Sequence, residues 1–108
     1  RCVPGPYTFV LEATQLVPKI MLTKRKTIGI RVPDSAICLA IIKTLGRPII
    51  STSAGKDEPY AIEEAFAPHL GLIVDGGPIN PEPSSVISLI GDVPEVIRKG
   101  KGDVSLFL

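Results

Sequence analysis

Hydrophobic and polar residues alternate between positions 27 and 32, and this alternation predicts a β-strand. The apolar residues share one face of such a strand and the others share the opposite face, the two sets being Ile28, Ile30 and Val32 against Thr27, Gly29 and Arg31. A guanidinium beside a glycine, where a ligand can approach the backbone, is suited to holding an anion. The alternative is an edge strand with a solvated arginine, which is the commoner arrangement for this pattern taken alone.

Shorter patterns of the same kinds occur along the rest of the chain. Runs of β-forming residues bounded by turn residues predict strands at 7–13, 49–53, 72–75, 84–90 and 95–98, and the last two are expected to form a hairpin. A short helical turn is expected over 16–22 and a weak helix over 61–66. These elements predict one domain of the α/β or α+β class in which strands outnumber helices.

The best-marked helix is expected between Asp34 and Gly46. Asp34 or Ser35 can cap its first turn, and Gly46 can end it after Leu45 because glycine adopts the left-handed conformation of a helix C-terminus. Every residue from 36 to 42 is apolar, which predicts a helix buried on more than one side.

Composition narrows the possible functions. A chain of 108 residues has room for one hydrophobic core, and its 44% hydrophobic content is ordinary for a globular protein. No apolar run approaches the ~20 residues that span a bilayer, so no membrane segment is predicted. Cys2, Cys38 and the single histidine, His69, lack metal-ligand spacing, and no metal site is predicted. Neither a phosphate-binding P-loop nor a supported serine nucleophile is found, so no catalytic residue is assigned.

Charge is uneven although its net value is only +1. A cluster of cations precedes and enters the strand at 27–32, and it comprises Lys19, Lys24, Arg25, Lys26 and Arg31. The first four are predicted to form a basic edge that suits phosphate groups. A solvated surface is the alternative.

Small hydroxyl groups and arginines gather at the ends of predicted strands. They are Ser51 and Ser53 after one strand, Ser84 and Ser85 at the start of another, and Arg98 at the end of a third. Hydroxyl and backbone N–H groups at strand ends suit phosphate oxygens, and arginine adds two-pronged hydrogen bonding. Serines in turns also commonly bond only to local backbone, so the site is a hypothesis that rests on their combination with Arg31. We predict that 27–32 is an interior strand from which Arg31 points into a cleft shared with Ser53 and Ser84.

Taken in order, these segments resemble the YrdC/YciO family. The resemblance runs from Pro4 to the C-terminus through Pro4-Gly5-Pro6-Tyr7-Thr8, Lys24-Arg25-Lys26-Thr27-Ile28-Gly29-Ile30-Arg31-Val32-Pro33-Asp34, Ser51-Thr52-Ser53-Ala54, Asp75-Gly76-Gly77, Pro83-Ser84-Ser85-Val86-Ile87 and Arg98-Lys99-Gly100. The closing Gly100-Lys101-Gly102-Asp103-Val104 is more similar to the YciO branch than to the bacterial synthase branch.

The resemblance implies a fold and an activity. The fold is a twisted, mixed α/β sheet around a central cleft, and the activity is synthesis of threonylcarbamoyl-AMP from L-threonine, bicarbonate and ATP, accompanied by Mg²⁺, for tRNA modification. Double-stranded RNA or tRNA is the implied macromolecular partner, and we predict that the basic edge contacts its phosphates without reading bases. The two cysteines require no oxidising compartment, so the cytoplasm, or an organelle, is the expected location.

The same resemblance implies roles for single residues. Arg31 would hold the threonine carboxylate, with Thr8, Ser84 and Ser85 lining the substrate pocket. Ser51 and Ser53 would touch the nucleotide and Arg98 its phosphates.

Two departures from the family pattern qualify the expected activity. Gly55 stands where the family's Ser-x-Asn motif has asparagine, and the family's Lys-x-Arg motif would precede Pro4. We therefore expect residues 1–108 to be the C-terminal portion of a single YrdC-like domain that lacks its N-terminal part and is inactive alone. The alternatives are a non-catalytic, YciO-like protein that binds double-stranded RNA, and an interaction protein with a vestigial cleft.

Overall fold

The computed structural model describes residues 2–19, 26–55, 58–77 and 82–108. The chain divides into two compact units, one formed by residues 1–39 with 82–108 and the other by residues 40–81. The first unit contains the sheet and the start of a helix at 36–45, and the second contains the rest of that helix, a short helix at 59–66 and irregular chain.

The sheet of the first unit has four strands, β1 (Tyr7–Glu12), β2 (Thr27–Arg31), β3 (Ser85–Ser88) and β4 (Glu95–Arg98), in the order β2-β1-β3-β4. β1 pairs in parallel with β3, and the other two pairings are antiparallel. The predicted mixed α/β fold is confirmed, as is the hairpin of the last two strands. β4 carries a register shift opposite Val86 and Ile87, which is typical of a β-bulge.

The core lies on one face of this sheet. Tyr7, Ile87 and Val104 are buried there, because alternate residues of β1 and β3 point to the same side and the C-terminal segment crosses below them. The rings of Tyr7 and Phe9 stack with centroids 6.0 Å apart, and Phe107 meets both edge-on at 6.2 Å. These aromatic contacts attach the C-terminal 3₁₀ turn (Ser105–Phe107) to β1.

Helix α1 (Ala36–Leu45) has the predicted bounds. Of the two candidate caps, Ser35 makes the bond, its Oγ accepting from the Cys38 N–H at 3.3 Å. Gly46 ends the helix at a φ of 77°, the left-handed conformation that favours glycine. The expected burial is wrong: no residue of α1 is buried, and Ile37, Ile41 and Leu45 are more than 40% exposed. An apolar run shows which side chains would favour burial, but not whether a neighbouring element covers them.

The second unit contains helix α2 (Pro59–Phe66) followed by a 3₁₀ turn (Ala67–His69), so the predicted helix at 61–66 is confirmed with an earlier start. The strands predicted at 49–53 and 72–75 are wrong, since both segments are irregular. Ile50 is 63% exposed and Leu72 81% exposed. A β-strand needs a paired neighbour, and within the described residues neither segment has one.

The helical turn predicted at 16–22 can be compared with the structure over part of its length. The helical turn predicted at 16–22 lies partly outside the described residues, and its described part is a turn in which the Val17 N–H donates to the Thr14 carbonyl at 3.2 Å.

Among residues 2–19, 26–55, 58–77 and 82–108, no helix has the length and apolar character needed to cross a membrane.

Candidate functional site

A single row of paired residues crosses the sheet on the face opposite the core. Arg31 on β2 pairs with Thr8 on β1, Thr8 pairs with Val86 on β3, and Val86 pairs with Arg98 on β4. Directly paired residues place their side chains on the same face of a sheet. We call these four positions, together with the Ser84 side chain described next, the Arg31–Arg98 row.

Ser84 joins the row because it lies two residues before Val86 and therefore points to the same face. Its Oγ is 2.7 Å from Oγ1 of Thr8, and the two hydroxyls share a hydrogen bond. Arg98 approaches from the other side and donates from Nε to the Ser84 carbonyl at 2.9 Å and from Nη2 to the Ser84 Oγ at 3.2 Å. A chain of hydrogen bonds thus connects β1, β3 and β4.

Arg98 keeps binding capacity beyond these bonds. A guanidinium carries five N–H donors, and two of them bond to Ser84, so three remain without a partner among the described residues. The Ser84 bonds fix the plane of the guanidinium and therefore the directions of these donors.

Arg31 stands at the other end of the row. It was expected on an interior strand, but β2 is an edge strand of the described sheet and the Arg31 side chain is exposed. Its pairing with Thr8 nevertheless places it beside the Thr8–Ser84 hydroxyl pair. Across three strand spacings of about 4.8 Å, the backbones of the two arginines lie about 14 Å apart.

Gly29 keeps the space beside Arg31 open. It shares the face of Arg31 and pairs with Val10, and a Cβ added to it would lie 3.1 Å from the Thr8 Cγ2. A side chain at this position would therefore crowd Thr8 on the face that carries the row.

Ser85 lies apart from the row, although its neighbour Ser84 belongs to it. Ser85 pairs with Tyr7, and its side chain lies on the core face. It is fully buried, with 0% exposure. Its Oγ donates to the Gly102 carbonyl at 2.6 Å and accepts from the Gly100 N–H at 2.9 Å. Its predicted substrate-binding role remains a prediction, and its observed contacts are with the chain itself.

The two predicted nucleotide-binding serines belong to the second unit. Ser51 and Ser53 are exposed in irregular chain, four and two residues before Gly55, whose φ is 71°. A depression of about 370 Å³ also lies in this unit, and its lining includes Pro59, Glu63 and Asp75 but neither serine. Their contact with nucleotide remains a prediction.

Only part of the predicted basic edge is described. Lys19 and Lys26 are exposed, whereas Lys24 and Arg25 lie outside the described residues. Lys26 has a φ of 57°, and its carbonyl accepts from the Ala13 N–H at 2.9 Å, which fixes the entry to β2. RNA contact by these residues remains a prediction.

Sequence reasoning missed the contacts that close the C-terminal segment over the start of β3. The Tyr7 hydroxyl donates to the Asp103 carbonyl at 2.9 Å, and the Lys101 N–H donates to the Pro83 carbonyl at 2.8 Å. The glycines at 100 and 102 were a signal for this close approach, because glycine is the residue that permits it. Hydrogen bonds from the Ser105 N–H and hydroxyl, together with the Lys99 charge, hold the pKa of Asp103 below its ordinary value.

A resident metal ion does not fit the described residues. Within these ranges no group of three or more His, Cys, Asp or Glu side chains could hold one.

Comparison with known proteins places this geometry in a family. Residues 1–100 match the Sua5_yciO_yrdC family, described as "Telomere recombination". YciO of Escherichia coli (strain K12) is 42% identical over 97% of this chain and 55% of its own length, and its crystal structure superposes with a TM-score of 0.91, at 41% identity, over 98% of this chain and 55% of that one.

Two further relatives carry a named activity or ligand. Threonylcarbamoyl-AMP synthase of Mus musculus is 34% identical over 91% of this chain and 37% of its own length. Pyrococcus abyssi Sua5, in a crystal structure complexed with L-threonine, has a TM-score of 0.82 at 32% identity over 91% of this chain and 31% of that one. The chain spans about half the length of the YciO proteins it matches. Both in sequence and in fold, the chain belongs to the Sua5/YciO/YrdC family.

Proposed function

We propose that this chain provides an L-threonine- and ATP-binding surface of a threonylcarbamoyl-AMP synthase-like domain. The observation that carries the proposal is the Arg31–Arg98 row, in which two arginines flank the Thr8–Ser84 hydroxyl pair on one face of the sheet. Two separated cations with hydroxyl groups between them suit a ligand pair that presents a carboxylate and phosphates.

The threonine end of the surface is assigned to Arg31 and Thr8. An exposed guanidinium can bond a carboxylate through two parallel N–H groups, and the hydroxyls beside it can bond the amino or hydroxyl group of the amino acid. The family relation to a Sua5 protein that was crystallised with L-threonine supports this choice of amino acid.

The phosphate end is assigned to Arg98, and we propose separately that Ser51 and Ser53 of the second unit contact nucleotide. Arg98 offers donors already oriented by Ser84, and its positive charge would offset the charge of phosphates. In this proposal ATP, as its Mg²⁺ complex, is a substrate, and the described residues bind, orient and neutralise it.

The reaction itself is proposed for a larger domain. Relatives whose named activity is threonylcarbamoyl-AMP synthesis are matched over about a third of their length. We propose that residues 1–108 form the C-terminal portion of a single YrdC-like domain that acts in tRNA modification in the cytoplasm.

Calorimetric titration of the 108-residue chain with L-threonine tests the proposal. Wild type is expected to bind, and Arg31→Ala is expected to weaken binding about tenfold or more, because a hydrogen-bonded charge contributes roughly 1.5–3 kcal/mol. Threoninol, which lacks the carboxylate, should bind wild type and Arg31→Ala equally weakly.

Arg47→Ala is the matched control, since Arg47 is an exposed arginine to which no binding role is assigned. It should leave the affinity for L-threonine unchanged. Absence of binding by wild type, or equal affinities for wild type and Arg31→Ala, would contradict the proposed site.

A second candidate function is supported by the relative degrees of identity. The chain is 42% identical to Escherichia coli YciO but 34% identical to the mouse synthase. We propose as the alternative a non-catalytic, YciO-like protein that binds double-stranded RNA through the basic edge, in which Lys19 and Lys26 are exposed.

A further inference from the structure

We propose that Ser85 is a positioning residue, whose buried hydroxyl holds the segment 99–103 against the start of β3 and thereby sets the geometry of Ser84 and Arg98. The inference rests on the proposed function for its consequence in ligand binding. The structural part of the inference concerns the free chain and can be tested without a ligand.

The Ser85 hydroxyl is committed to the chain's own backbone. It has one proton, which it donates to the Gly102 carbonyl, and it accepts the Gly100 N–H. With 0% exposure and both bonds short, at 2.6 and 2.9 Å, it has no open direction towards a ligand. Its effect on a ligand must therefore pass through the segment that it holds.

The segment is pressed closely against its neighbours. A Cβ at Gly100 would overlap the carbonyl oxygens of Pro83 and Ser84, and a Cβ at Gly102 would lie 2.6 Å from the Tyr7 ring. Alongside these contacts, the Lys101 N–H bonds to the Pro83 carbonyl at 2.8 Å and the Tyr7 hydroxyl bonds to the Asp103 carbonyl at 2.9 Å. The Ser85 hydroxyl is the side-chain group that joins both glycines to β3.

Arg98 is coupled to the packing of segment 99–103 against β3, because it directly precedes that segment in the chain. It lies two residues before Gly100, and its Nε donates to the carbonyl of Ser84, the residue next to Ser85. The backbone on either side of the Arg98–Ser84 contact is therefore held by one hydroxyl. Without that hydroxyl, the Gly100 N–H and the Gly102 carbonyl lose their Ser85 partner, and the segment can move away from β3.

The ligand-free test is nuclear magnetic resonance of the Arg98 Nε–H in the 108-residue chain. Wild type is expected to show a resolved signal that exchanges slowly with solvent, because Nε is bonded to the Ser84 carbonyl. Ser85→Ala is expected to speed this exchange about tenfold or more, whereas Ile87→Val should leave it unchanged. Ile87 is the control because it lies on the same strand and core face and is equally buried.

Gly100→Ala is the second variant. Its Cβ would overlap the carbonyl oxygens of Pro83 and Ser84 and so would push segment 99–103 away from the start of β3. It should give the same change at Arg98, and it decides the question if Ser85→Ala does not fold. Slow exchange retained at Arg98 in a folded Ser85→Ala or Gly100→Ala chain would overturn the inference.

Titration with ATP, the ligand assigned to Arg98, separates positioning from direct contact. Ser85→Ala should weaken binding about tenfold, in step with the faster Arg98 exchange, and Ile87→Val should not. Weakened binding with an unchanged Arg98 signal would mean that Ser85 touches the ligand, which would also overturn the inference. If wild type binds no ATP, the proposed phosphate site fails, while the Arg98 signal still decides the positioning role.

Discussion

Ser84 and Ser85 are neighbours in the sequence but serve opposite faces of the sheet. Ser84 bonds to Thr8 and Arg98 on the outer face, and Ser85 bonds to Gly100 and Gly102 on the core face. Successive residues of a strand point to opposite sides, so the sequence already allowed only one of the pair to face a given ligand. The contacts of a residue therefore depend on which face of the strand it occupies as much as on its residue type.

Arg98→Ala is expected to lower the affinity of the chain for ATP about tenfold or more, because charged hydrogen bonds to phosphate would be lost. Arg98→Lys should bind ATP more tightly than Arg98→Ala but less tightly than wild type. A lysine ammonium keeps the charge, but it cannot reproduce the two bonds to Ser84 that fix the orientation of the guanidinium. Titration calorimetry with ATP measures both variants, with Arg47→Ala as the control. Identical affinities for wild type and Arg98→Ala would show that Arg98 is only surface charge.

At the scale of elements, prediction succeeded where local signals and a paired partner coincide. The bounds of α1 follow from Ser35 and Gly46, and the strands β1 to β4 follow from alternation and turn residues. The strands predicted at 49–53 and 72–75 failed because β-forming composition does not show whether a neighbouring strand exists. The edge position of β2 was missed for the same reason, since strand order depends on contacts distant in sequence.

Ser35→Ala is expected to destabilise the chain by about 1 kcal/mol, the usual cost of losing a helix N-cap. Asp34→Ala is the matched control, because Asp34 was the other candidate cap and the capping bond is made by the Ser35 Oγ. Urea denaturation followed by circular dichroism compares the free energies of unfolding. A larger loss for Asp34→Ala than for Ser35→Ala would reverse the assignment of the cap.

At the scale of the whole molecule, register assembles a site from residues far apart in sequence. Thr8, Arg31, Ser84 and Arg98 come from four chain segments, and the pairings of four strands put them in one row. Motif resemblance could name these residues, but only the register shows that Ser85 is turned away. Two further facts concern the whole molecule. Apolar residues of α1 are exposed, and the chain covers about half the length of the YciO proteins it matches.

The RNA alternative makes its own prediction at this scale. Affinity for double-stranded RNA should fall steeply between low and high salt, because phosphate contacts release counterions. Replacing Lys19 and Lys26 with alanine should reduce the slope of log affinity against log salt by about one unit for each lost contact, whereas Lys43→Ala should not. A salt-independent affinity, or an unchanged slope in the double variant, would leave the basic edge as a solvated surface.

The most direct measurement of the central claim is a residue-resolved nuclear magnetic resonance titration of the 108-residue chain with L-threonine. The account predicts that the largest shifts occur at Thr8, Arg31 and Ser84 and at the Arg98 Nε–H, and that Arg31→Ala greatly reduces them. Shifts that are absent, that concentrate away from the Arg31–Arg98 row, or that persist unchanged in Arg31→Ala would contradict the claim that this row binds the amino acid.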